Sequence, residues 1–144
     1  MTFTLPPAVR LAEGLARDIE QAVARFQRAY RYTFGADLRA RAWAVLRTAH
    51  RAARDQARRG HWLTQLVWEV DELKLSLQLG KQLHAFVSFA QFEALARAAA
   101  QLGRQVGGWH KQQHPQGQSG PARAPGQRAM TLSSRAASNR EANR

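Results

Sequence analysis

The chain has 144 residues, 44% hydrophobic and 22% charged, which is the size of one ordinary domain with enough apolar material for a core. It contains no cysteine, which excludes disulfides, thiolate metal sites and a cysteine nucleophile, and fits a reducing cytoplasm. Lys and Arg number 22 against 10 Asp and Glu, a formal net charge of +12, so the expected partner is a polyanion, nucleic acid first. Lysine occurs only at Lys74, Lys81 and Lys111; nearly all the basicity is arginine, whose planar guanidinium contacts phosphate bidentately and stacks on bases. The opening residues carry neither a basic region nor an apolar core of a signal peptide, and no apolar run approaches about 18 residues. A soluble, cytoplasmic protein is expected.

The Ala- and Leu-rich apolar set, poor in β-branched residues, predicts an all-α chain. The first helix is expected over 7–32, opened by Pro7 and carrying Leu11, Leu15, Ile19, Val23, Phe26 and Tyr30 on one stripe. Thr33-Phe34-Gly35-Ala36-Asp37 reads as a connection, with Asp37 as the next N-cap. The second helix is expected over 38–59, buried through Leu38, Ala42, Val45, Ala49, Ala52 and Ala53 and capped by Gly60. The third, over 62–86, buries Leu63, Leu66, Val70, Leu73, Leu77 and Gly80. It has a second apolar face at Trp68, Leu75 and Leu79, read either as a wide stripe touching two neighbours or as a subunit interface. Ser88 and Gln91 form a capping box before the fourth helix, whose Phe92, Leu95, Ala99, Leu102, Val106 and Trp109 step by threes and fours. Short connections between long helices predict an antiparallel four-helix bundle over 1–111. From Gln112 onward the Gln-, Gly-, Ser-, Pro- and Arg-rich composition predicts a disordered basic tail over 112–144. Its arginines are few enough that most of the positive charge belongs to the folded body.

The second helix carries the most directed chemical signal. Arg39, Trp43, Arg47, His50, Arg51, Arg54 and Arg58 recur at helical spacing beside its apolar stripe, with Arg41 and Arg59 elsewhere on it. Like charges one turn apart weaken a helix by roughly 0.2–0.5 kcal/mol per pair. A partner with a phosphate backbone would relieve this repulsion, with salt-dependent binding; Trp43 is either a stacking platform for a base or a packing residue. Catalytic patterns are weak. Asp71 and Glu72 diverge on one helix, His50, His61, His84, His110 and His114 lack metal-ligand spacing, and Ser76 and Ser88 lack a nucleophile elbow. No cofactor or metal is expected. Arg104 to His110 and Arg54 to His61 match the Arg-x(4–6)-His spacing of HEPN-type ribonucleases, a pattern that arises readily in an Arg-rich chain. Gly103 is read as a close approach to a neighbouring helix or to Trp62 or Trp68, and Gly107-Gly108 as a fraying helix end.

Leu102-Gly103-Arg104-Gln105-Val106-Gly107-Gly108-Trp109 resembles the Gly-Arg-x-x-Gly-Gly-Trp ending of the accessory variability determinant proteins of diversity-generating retroelements. Asp71-Glu72-Leu73-Lys74, Lys81-Gln82-Leu83, Ser88-Phe89-Ala90-Gln91-Phe92-Glu93 and Arg31-Tyr32-Thr33-Phe34-Gly35 are similar to further segments of that family. Where the family commonly has Phe-Pro, this chain has Phe26-Gln27. The resemblance covers about 11–111. It implies a homopentameric ring of four-helix bundles without catalytic residues. Such a ring binds a reverse transcriptase and template-region RNA, or an RNA–DNA hybrid, and is required for cDNA synthesis in mutagenic retrohoming. Ribosomal RNA intervening-sequence proteins share the bundle and are the competing assignment. The expected contacts are Arg39, Trp43, Arg47, Arg51, Arg54 and Arg58, with Lys74, Lys81, Arg104 and Lys111 as a second group; Arg104 is alternatively a structural partner of Glu69 or Asp71.

Overall fold

A computed structural model describes residues 4–114. Its five α-helices are α1 (Pro7–Ala24), α2 (Arg28–Arg31), α3 (Phe34–Arg54), α4 (Arg59–Gln82) and α5 (Phe89–Gln113). Pro7 opens α1, where a missing N–H is harmless and the fixed φ suits the first turn. Leu15, Ile19 and Val23 of α1 then meet Leu38 and Val45 of α3, Leu66, Val70 and Leu73 of α4, and Leu95 and Leu102 of α5 in one buried cluster. Helices α1 and α3 run antiparallel, with Glu20 beside Arg39. So do α3 and α4, with Arg41 beside Glu72 and Thr48 beside Gln65, and α4 and α5, with Thr64 beside His110 and Lys81 beside Phe92.

The expected four-helix bundle is corrected to five helices. The helix predicted over 7–32 breaks after Ala24: the N–H groups of Arg25 and Phe26 bond back to Ala22 and Val23 O, and Gln27 is extended at φ −60°, ψ 149°. No proline or glycine stands at the break. Its cause is tertiary: Phe26 is fully buried, stacked 6.1 Å from Phe34 and edge-on 5.2 Å from Phe86. A donor from Arg31 reaches the Phe26 carbonyl that the break releases, at 3.1 Å. The pentameric ring expected alongside the four helices finds no support in this single chain.

Other boundaries also move. Helix α3 begins at Phe34, so Asp37 is not a cap but a first-turn acid that accepts from Arg41 at 2.9 Å. Gly35 is part of the helix rather than of a connection, and Val23 and the Tyr30 carbonyl crowd the place a Cβ would take. Gly60 lies inside α4 rather than after α3, which ends at Arg54 with Asp55 as its C-cap. Helix α4 stops at Gln82, short of Phe86, where the N–H of Ala85 bonds to Gly80 O and that of His84 to Lys81 O. This paired closure requires a left-handed residue, and His84 supplies it at φ 59°. Ser88 does cap α5, accepting from the Gln91 N–H at 3.1 Å, while Gln91 reaches back to the Val87 N–H at 3.2 Å. Gly107 and Gly108 are interior to α5, not at a frayed end. The chain divides into two units, Met1–His110 and Lys111–Arg144. Helix α5 takes in Gln112 and Gln113, and the His114 N–H bonds to Lys111 O at 3.2 Å; residues 115–144 of the expected disordered tail lie outside the described residues. No described helix is long and apolar enough to cross a membrane.

Candidate nucleic-acid interface

The α-helical turn of about 100° per residue places Trp43, Arg47, Arg51 and Arg54 within an arc of roughly 80° on the outer face of α3. All four are exposed. The seven arginines of the predicted helix divide into three kinds. Arg41 is held on the opposite flank by Asp37 and Glu72, at 2.9 and 3.5 Å. Arg59 folds back and donates to the Ala52 and Ala53 carbonyls at 2.7 and 3.0 Å, closing the C-terminus of α3. Both are structural. Arg39 is partly neutralised by Glu20 at 3.2 Å. Arg47, Arg51, Arg54 and Arg58 make an outward, exposed basic ridge; Arg58 is partly neutralised by Asp55 at 3.8 Å, and Arg47 has no ion pair among the described residues.

The α3–α4 corner orders the end of that ridge. The Trp62 indole N–H donates to Asp55 Oδ2 at 2.9 Å, and the Arg58 backbone N–H reaches Oδ1 at 3.2 Å. The Trp62 hydrogen bond holds the Asp55 carboxyl below its usual value; partial desolvation opposes this, and the Arg58 N–H and the charges of Arg58 and Arg59 add to the lowering. With its ring so anchored, Trp62 carries the Arg51 and Arg58 guanidiniums 5.2 and 5.3 Å from its centroid. Such contacts are worth about 0.5–1 kcal/mol at exposed sites. They restrict two otherwise floppy side chains while leaving N–H edges available to an oxyanion. An open hollow of about 430 Å³ lies here, lined by His50, Arg51, Arg54 and Asp55. Asp55 and Trp62 belong to the site without any signal in the sequence. Their seven-residue separation crosses a turn, and no helical periodicity signals it.

Of the second group of expected contacts, Lys74 and Lys81 stand on α4 and Arg104 on α5, not on the α3 ridge. Lys74 lies 3.9 Å from Asp71 and against Gly103, where a Cβ would come within 2.8 Å of its ammonium. Gly103 therefore does mark a close approach, to Lys74 rather than to a tryptophan. Lys81 sits 5.2 Å from the Phe92 ring centroid. Arg104 is exposed and pairs with neither expected carboxylate: Asp71 faces Lys74, and Glu69 accepts from Gln65 at 2.9 Å. Lys111 belongs to the second unit and is exposed near the end of α5. Arg104 and His110, six residues apart on α5, point about 120° away from each other, and His110 bonds to Thr64 Oγ1 at 3.2 Å. His61 packs edge-on against Trp62. Among the described residues no group of three or more His, Cys, Asp or Glu is placed to hold a metal ion. Comparison with protein-family profiles, curated proteins and solved structures returns no match, which leaves the resemblance resting on its motifs and the site on its geometry.

Proposed function

We propose that this chain is a non-catalytic RNA-binding subunit that works in the cytoplasm as the accessory partner of a retroelement reverse transcriptase, enabling cDNA synthesis. The observation that carries the RNA part is the row Arg47, Arg51, Arg54 and Arg58, exposed on one side and partly pre-oriented by Trp62. Support for the reverse transcriptase comes from the Gly-Arg-x-x-Gly-Gly-Trp ending and the Asp-Glu-Leu-Lys helix. Backbone and shape contacts dominate such a surface, because a row of guanidiniums reads phosphate rather than sequence.

The test is RNA binding across a salt series by the wild type and by the triple variant Arg47→Glu, Arg51→Glu, Arg54→Glu. Four neutralised phosphates on single-stranded RNA predict a slope of log K against log salt of about −3. The triple variant should lose RNA binding while keeping its helical circular dichroism. A folded triple variant with undiminished affinity removes the ridge from the site. Co-purification with a reverse transcriptase encoded beside the gene tests the second half of the proposal. RNA binding without such a partner favours the intervening-sequence type of protein.

A further inference from the structure

A second hollow, of about 210 Å³, lies between α1 and α3 one turn along the ridge from Arg47. Its floor is Ala16, Ala42 and Leu46, and one wall is Trp43, 51% exposed. Glu13, Glu20, Arg17 and Arg39 make its rim. The rim's formal charges cancel, and Arg39 and Glu20 are already paired at 3.2 Å, so nothing here draws a bare phosphate. A helix of about 10–12 Å diameter is too wide for this volume. What suits it is one flat, neutral ring system with donors and acceptors on its edge. Carboxylates at the rim accept from exocyclic amino groups, and guanidiniums donate to ring nitrogens and carbonyl oxygens.

Resting on the reading of α3 as an RNA-binding face, we propose that this hollow is a nucleobase pocket. It takes one unstacked base of single-stranded RNA against Trp43, while the adjoining backbone runs onto Arg47 and Arg54. The juxtaposition is what carries the inference. A charge-balanced apolar slot with an exposed indole stands directly beside unneutralised Arg47, so base and phosphate have separate, adjacent places. Base stacking on an aromatic side chain tolerates any base, because each has a π-face. The pocket therefore selects for an available single-stranded nucleotide rather than for a sequence, and a continuous duplex, whose bases are stacked and paired, cannot use it.

The experiment compares wild type, Trp43→Ala and Trp43→Phe, each as the full chain. Fluorescence anisotropy is read with a labelled oligoadenylate and with a blunt duplex RNA of equal length. Loss of one stacking platform should lower the ratio of single-strand to duplex affinity about tenfold to hundredfold in Trp43→Ala, with most of it restored in Trp43→Phe. An unchanged ratio in folded Trp43→Ala overturns the pocket but leaves the ridge standing. A drop in light-scattering mass with the ratio unmoved also overturns it, and reassigns the slot to a contact between copies of the chain. If the wild type binds neither probe, the RNA reading itself fails and the pocket falls with it.

Discussion

Three glycines show how differently one methyl group acts at different places, Gly35 in α3 and Gly107 and Gly108 in α5. A Cβ at Gly35 would lie 2.7 Å from Val23 Cγ1 and 3.0 Å from the Tyr30 carbonyl, and a short branched side chain and a backbone atom have little room to yield. Gly35→Ala should destabilise by roughly 1–3 kcal/mol. At Gly107 and Gly108 a Cβ would meet nothing within 4 Å, so alanine there should raise helix stability by about 1 kcal/mol each. Thermal melts of the single variants check both signs. Asp55 offers a pH-resolved case. Its carboxyl is held below the ordinary value of 3.8, first by the Trp62 indole, so its contribution is fully present above that value and is lost as pH falls through the lower folded-state pKa. Asp55→Asn should melt earlier than wild type at neutral pH, and the gap should close only in strong acid. A gap constant across the acid range would show that the charge of Asp55 does not contribute.

Among the elements, α5 depends on its cap and α4 on its closure. The Ser88 hydroxyl satisfies one orphan N–H at the start of α5, so Ser88→Ala should lower stability by about 1 kcal/mol, a few degrees in melting temperature. The (i, i+4) spacing of Arg47 and Arg51 places like charges one turn apart on an exposed face. Ala42, Val45, Ala49 and Ala52 bury the other side of α3, and this packing holds the helix against that repulsion. The ridge was legible in the sequence because its period is that of the helix itself. That Arg41 and Arg59 lie off this row was legible too, but what holds them was not: their partners, Glu72 on α4 and the carbonyls at the end of α3, are set by how two helices meet.

At the scale of the whole molecule, the outer face of α4 stands apart from the shared core. Trp68 and Leu75 are 66% and 69% exposed, with Leu79 half-exposed further along the same helix. Large apolar side chains gathered on one exposed surface suit an interaction site, and we propose a second copy of the chain as its occupant. Light-scattering mass as a function of concentration should give a multiple of 16.1 kDa for the wild type. The double variant Trp68→Gln, Leu75→Glu should reduce it to the single-chain value. A monomeric wild type would remove this interface and leave α4 facing another protein or solvent.

The all-helical class, the core face of each long helix, the cap at Ser88 and the basic row on α3 follow from the sequence alone. Each depends on residue type repeated at the helical period or on a contact only three residues long. Tertiary structure decided the rest. The break at Phe26 exists because a phenyl ring finds Phe34 and Phe86, not because the local chain forbids a helix. Gly60 continues α4 instead of ending α3, since Asp55 and Arg59 make the turn first. The slot beside Trp43 needs Glu13, Ala16, Arg17 and Glu20 from a helix more than twenty residues away. Periodicity reports which side of a helix is apolar; only the packing of one helix on another says what that side, and the edge beside it, will touch.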